Sequence, residues 1–201
     1  MLKVKPILAS LLAATTLLMV PMATAAQDAA AEAAALKALD DALPGTLLHN
    51  PFDMKWNKSG NDIKTKVVDA DALSTGKAVS ARVKKKQPVP WGSSVNFQVP
   101  DAVSKGDEIQ VYFYVRTKKP AAGKDTGDIS MFVGRNEPPF DFIMVEEILP
   151  PTEWELMSAT AVAEKDYSAG KIKVEYQLGK AAQTIEIGPV YVSSLGPKAL
   201  D

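Results

Sequence analysis

From Thr46 onward the chain is built of short runs in which apolar and polar residues alternate, and this period of two limits the folds open to it. Val79, Ala81 and Val83 alternate with Ser80, Arg82 and Lys84, and Val95, Phe97 and Val99 with Ser94, Asn96 and Gln98. Val111, Phe113 and Val115 alternate with Tyr112, Tyr114 and Arg116, and Ile129, Met131 and Val133 with Asp128, Ser130 and Phe132. Ile172, Val174, Tyr176 and Leu178 alternate with Lys171, Lys173, Glu175 and Gln177, before Ile185, Ile187, Val190 and Val192 close the series. Successive side chains of a strand point to opposite faces, so each run describes a strand with one buried face. Pro88-Val89-Pro90, Ser104-Lys105-Gly106-Asp107, Lys118-Lys119-Pro120, Pro138-Pro139 and Pro150-Pro151 separate the runs, and none of these can continue a central ladder. The pattern predicts an all-β chain of about eight or nine strands, folded as a two-sheet jelly-roll β-sandwich.

The N-terminal segment is written differently. Lys3 and Lys5 precede an apolar stretch from Ile7 to Val20, and Ala23-Thr24-Ala25 supplies small residues for a peptidase. Residues 1–25 therefore read as a signal peptide cut before Ala26, which places the protein outside the cytoplasm, secreted or periplasmic. The stretch is shorter than the roughly 20 apolar residues of a spanning helix, so no membrane association is expected after cleavage. Residues 26–48 read as an Ala-rich helix or linker, with Leu36, Leu39 and Leu43 at helical spacing and Pro44-Gly45 as the stop. Residues 49–201 form the expected sandwich domain.

Charge and residue inventory narrow the chemistry. The formal net charge is −1, and it becomes −3 without residues 1–25, which carry two lysines and no acid. No basic footprint for nucleic acid follows. With no cysteine there is no thiolate metal site and no disulfide chemistry, and with the single histidine, His49, no imidazole-based zinc site. No Gly-x-Ser-x-Gly elbow is present to complete a triad around His49. Gly127-Asp128-Ile129-Ser130 matches the start of a GDSL-type esterase only superficially, since no downstream Asp-x-x-His follows. Glycoside hydrolysis needs only two carboxylates about 5–10 Å apart, for which Glu146-Glu147 or Glu153 and Glu155 around Trp154 are the candidates.

A set of segments in order adds to this reading. HNPFDMKW (49–56), TGKAVSARVKKK, PVPWGSSVNFQV, KGDEIQVYFYVRT (105–117), ISMFVGRNEPPF, EWELMS, VEYQLG (174–179) and IEIGPVYVSSLG follow one another across most of the chain. In order and spacing this run resembles the jelly-roll carbohydrate-binding modules of the CBM4/9-like, galactose-binding-like group, with HNPFDMKW similar to their opening strand and tryptophan. The resemblance implies a non-catalytic domain that binds an oligo- or polysaccharide and works beside a separate glycoside hydrolase. It assigns Gln98, Asn136, Phe140 and Gln177 to the sugar-contacting groove; alternation adds Asn96 and Phe132. Where some of these modules carry a groove arginine, this chain has Ser130. Where others hold a structural calcium it reads Ile187-Gly188-Pro189, so neither metal nor cofactor is expected.

The chemistry of a sugar fits such residues. A pyranose has an apolar C–H face, which an aromatic ring covers, and a fringe of hydroxyls, which amides read because they both donate and accept. Phe140 is expected to be the platform and Gln98, Asn136 and Gln177 the readers. Trp91 and Trp154 are assigned to packing. The stripe Tyr112, Tyr114 and Arg116 is a reserve site, expected on the sheet opposite Gln98 because consecutive jelly-roll strands exchange sheets. Two other readings stay open: a structural or protein-interaction sandwich without sugar binding, and a glycoside hydrolase using Glu153 and Glu155.

Overall fold

The computed structural model describes residues 22–198. Residues 1–21 of the segment 1–25 read as a signal peptide, and residues 199–201, lie outside them. A helix, α1, spans Met22–Ala42 and ends just before Pro44 and Gly45, where the stop was expected. Gly45 takes φ 82°, a left-handed turn that glycine accommodates.

Eleven strands follow among the described residues, in place of the eight or nine expected. They are β1 (Thr46–Leu47), β2 (Asn57–Ser59), β3 (Ile63–Asp69), β4 (Lys77–Val83), β5 (Ser94–Val99) and β6 (Asp107–Lys119). β7 (Ile129–Arg135), β8 (Phe142–Ile148), β9 (Glu155–Val162), β10 (Ile172–Gln177) and β11 (Thr184–Pro197) complete them. One antiparallel sheet runs β3-β4-β11-β6-β9, with β1 also on β11; the other runs β2-β5-β10-β7-β8. Together they form the two-sheet β-sandwich the alternation predicted.

The extra strands are those whose pattern is weakest. β1 and β2 are two and three residues long. β3 is an edge strand in which only Ile63 is buried, and β8 breaks its alternation where its register shifts against β7. The segment HNPFDMKW is a turn and coil, not an opening strand. The sandwich itself begins at Thr46, since β1 pairs with β11 and Leu48 is buried in the core.

The inward faces make one core. Val95, Phe97 and Val99 of β5, Val174 and Tyr176 of β10, and Met131 and Val133 of β7 meet Val111, Phe113 and Val115 of β6 and Ile185, Ile187, Val190 and Val192 of β11. β11 carries one extra residue against β6 between Ile187 and Val190, a bulge that absorbs Gly188-Pro189 without ending the strand. Aromatic rings fill one part of this core. Tyr176 stacks on Trp56 at 5.9 Å and meets the edge of Phe113 at 5.4 Å, while Phe97 lies 5.1 Å from Trp56.

His49 completes that aromatic group by stacking on Phe97 at 4.6 Å. Its Nε2–H donates to the Val190 carbonyl at 2.8 Å, which fixes the neutral tautomer. Burial disfavours the imidazolium and lowers the pKa from 6.5 to about 4. The unfolded chain therefore takes up a proton at His49 below 6.5, and the folded chain resists until about 4. This contribution to stability is complete above the unfolded value and is lost as pH falls through that window, by about 3 kcal/mol in all. Urea unfolding at pH 7 and 4.5 is expected to show a smaller loss on acidification in His49→Gln than in the unsubstituted protein. Equal losses would contradict the burial of a neutral ring.

Candidate functional site

The outward face of the β2-β5-β10-β7-β8 sheet gathers the polar and aromatic residues that alternation drives away from the core. Strand register arranges them in three rows. Ser59, Ser94, Gln177, Ser130 and Glu147 form the first, and Asn57, Asn96, Glu175, Phe132 and Val145 the second. Gln98, Lys173, Gly134 and Phe142 form the third. Over these rows lies a groove of about 660 Å³ lined by Ser59, Trp91, Ser94, Phe132, Phe140, Phe142, Val145, Lys173, Glu175 and Gln177.

The groove is aromatic on both sides. Trp91 is 58% exposed, Phe140 51% and Phe142 60%, although each is a residue that water disfavours. Trp91 sits on a 3₁₀ turn, Pro90–Gly92, entered by Pro88 and Pro90 and pinned where Gly179 N–H donates to Pro90 O at 2.8 Å. A Cβ on Gly179 would stand 2.6 Å from that carbonyl, so the approach that presents Trp91 needs glycine there.

Phe140 ends a turn closed by its own N–H on Glu137 O at 2.9 Å, and it holds φ 54°. A left-handed conformation costs a bulky L-residue about 1–2 kcal/mol, and such positions cluster at ligand clamps. The base of its loop is tied by Asp141, which accepts from Arg135 and Lys165 at 2.9 Å each. Those two cations hold the Asp141 carboxyl below the usual carboxylate range, Lys165 contributing most. Next in the chain, Phe142 reaches the groove across Gly134, where a Cβ would meet Asp141 O at 2.5 Å.

The floor is polar. Glu175 is 5% exposed on this outward face, and its Oε2 pairs with the Lys173 ammonium, two residues away on the same side of β10. That ammonium also lies 5.4 Å from the centroid of Phe132. The pair cancels its own charge, so the floor offers hydrogen-bonding groups with little net field. The Gln177 side chain has no protein partner among the described residues, and Ser94 Oγ is buried and unpaired. Gln177 stands where a ligand hydroxyl can meet it.

Of the six residues singled out from sequence, the structure brings Phe132, Phe140 and Gln177 together in the groove. Asn96 lies on the same face, between Asn57 and Glu175, and does not line the groove. Gln98 and Asn136 lie away from it. Both amides donate to Gly170 O, Asn136 at 3.1 Å, and so fasten the turn before β10. Gln98 lines instead a separate hollow of about 620 Å³ with His49, Asn50, Asp53, Lys55 and Asn57.

The expectations for the tryptophans divide. Trp154 packs, under the Arg116 guanidinium at 4.6 Å and against Ala70, Leu73 and Ala78. Trp91, assigned to packing, is instead a groove wall. The reserve stripe lies on the opposite sheet, where Tyr114 joins that small cluster and Arg116 binds Glu186 at 2.6 Å. Glu155 opens β9, while Glu153 sits in the preceding turn, outside both the groove and the crevice that Glu155 lines. Glu146, Glu147 and Glu155 line a crevice of about 300 Å³ between β8 and β9.

No family model matches the chain, and no curated protein does either. Solved structures do. The chain is similar to a CBM4 module at 19% identity and TM-score 0.53, over 69% of this chain and 94% of that one. It is similar to the CBM22-1 xylan-binding domain of Paenibacillus barcinonensis Xyn10C at 15% identity and TM-score 0.54, over 78% and 99%. It is similar to the N-terminal cellulose-binding domain of Cellulomonas fimi β-1,4-glucanase C at 18% identity and TM-score 0.51, over 69% and 88%. The fold is that of the jelly-roll carbohydrate-binding modules.

The pairing of Gln98 and Asn136 on one carbonyl generates a prediction. The double substitution Gln98→Ala with Asn136→Ala is expected to lower stability by about 1–2 kcal/mol and to speed amide exchange at residues 168–171. Unchanged exchange there would show that the two amides do not hold the turn.

Proposed function

We propose that the protein binds an oligo- or polysaccharide in this groove, outside the cytoplasm, and does not cleave it. One observation carries the reading: three large rings stand more than half exposed around a floor that holds the unpartnered Gln177 amide. Large exposed rings are costly to a fold without a ligand, and the Gln177 amide beside them is free to bond one. A pyranose suits both, its C–H face covering a ring and its hydroxyls reaching Gln177 and the Glu175 carboxylate. The Lys173–Glu175 pair leaves no net charge for a charged sugar to meet, so a neutral glycan is favoured. Similarity to modules whose names state xylan or cellulose binding supports the same class of ligand. Cleavage of that glycan falls to a separate glycoside hydrolase.

Isothermal titration with xylo-, cello- and β-1,3-gluco-oligosaccharides tests this. Trp91→Ala, Phe140→Ala and Gln177→Ala are each expected to weaken binding about 10- to 100-fold, the scale of a lost stack or a stranded polar partner. Asn136→Ala, outside the groove, is expected to bind as the unsubstituted protein does. Absence of heat with every glycan, from protein shown to be folded, would refute the proposal.

A further inference from the structure

A β-sandwich ends in open strand edges, and unpaired edges invite pairing with another chain unless something blocks them. Four of the five edges here carry such a device. β1 and β2 are two and three residues long. β3 exposes Lys64 and Lys66. β8 exposes Glu146 and Glu147, and its register shifts beside Gly134. The fifth edge, β9, has none of these.

β9 runs eight residues in unbroken register with β6, from Glu155 opposite Val115 to Val162 opposite Glu108. Past Glu155 it contains no charge and no proline, and among the described residues it pairs on one side only. Met157, Ala159 and Ala161 face the core, while Leu156, Ser158 and Thr160 are exposed on the other face.

We propose that β9 is a self-pairing edge, and that a second copy of this chain adds its own β9 antiparallel across a two-fold axis at Ala159. The choice of axis follows from the pleat. Residues opposed across an antiparallel pair share a face, so the axis must pass through a residue and not between two. At Ala159 it sets Leu156 against Val162, Ser158 against Thr160 and Met157 against Ala161, each with the residue of its own character. Apolar and hydroxyl pairs of this kind stabilise a ladder, and no like charges meet. An axis at Ser158 would set Leu156 against Thr160, and one at Thr160 would oppose Ser158 to Val162. Closed two-fold pairing of this type yields a dimer and not a fibre, because the pairing consumes the edge.

Sedimentation velocity of the purified protein at rising concentration tests the pairing, and it needs no sugar, so its outcome is independent of the groove. A concentration-dependent dimer is expected, weakened at least tenfold by Thr160→Lys and by Ser158→Lys, both exposed positions whose folding circular dichroism verifies. Val67→Lys on the exposed β3 edge is the control and is expected to leave the dimer unchanged. The chain has no cysteine, so Ala159→Cys supplies a single thiol, expected to cross-link two copies on oxidation where Ala161→Cys does not. A monomer at every concentration, a dimer indifferent to both lysines, or cross-linking at Ala161→Cys in place of Ala159→Cys would overturn the proposal.

Discussion

The groove depends on the packing of the opposite face of the same strands. On β10, Val174 and Tyr176 enter the core, where Tyr176 meets Trp56 and Phe113, and this fixes the outward aim of Lys173, Glu175 and Gln177. β5 and β7 lie on either side in continuous register, so Ser94 and Phe132 are held by Val95 and Met131 in the same way. A slip of one residue in any of these ladders would send the groove floor into the core. The hydrophobic effect that folds the sandwich thus also pre-organises the site.

What the strands cannot supply, the turns do. Trp91 rises from a proline-bounded 3₁₀ turn and Phe140 from a left-handed position behind Pro138 and Pro139, so the walls stand on stiff backbone. A preformed wall loses little conformational freedom when a ligand arrives. The Lys173–Glu175 pair, its carboxylate buried, adds rigidity of another kind. Separating two partly desolvated charges is unfavourable, and the pair orients the carboxylate towards the groove.

Much of this was legible in the sequence, and the part that was not has a physical cause. The strongly alternating strands β5, β6, β7 and β10 announced themselves, and with them the outward aim of Phe132 and Gln177. β3 did not, because an edge strand buries too little of one face to leave a clean period. Trp91 was read as packing because exposure of a large apolar residue depends on neighbours such as Gly179, 88 positions away in the chain. Gln98 and Asn136 are 72 and 34 residues from the carbonyl they share, and no local pattern reveals which amide finds a distant partner. The sequence logic of alternation placed Gln98 on the correct face while leaving its bond unseen.

The central claim is that this one face of the sandwich is the ligand face, and amide-resolved NMR titration tests it most directly. Adding xylohexaose or cellohexaose to isotope-labelled protein is predicted to shift amides at Trp91, Phe132, Phe140 to Val145 and Lys173 to Gln177, with Tyr112 to Arg116 on the opposite sheet unmoved. Shifts centred on that opposite sheet, or on the crevice of Glu146 and Glu155, would contradict the account.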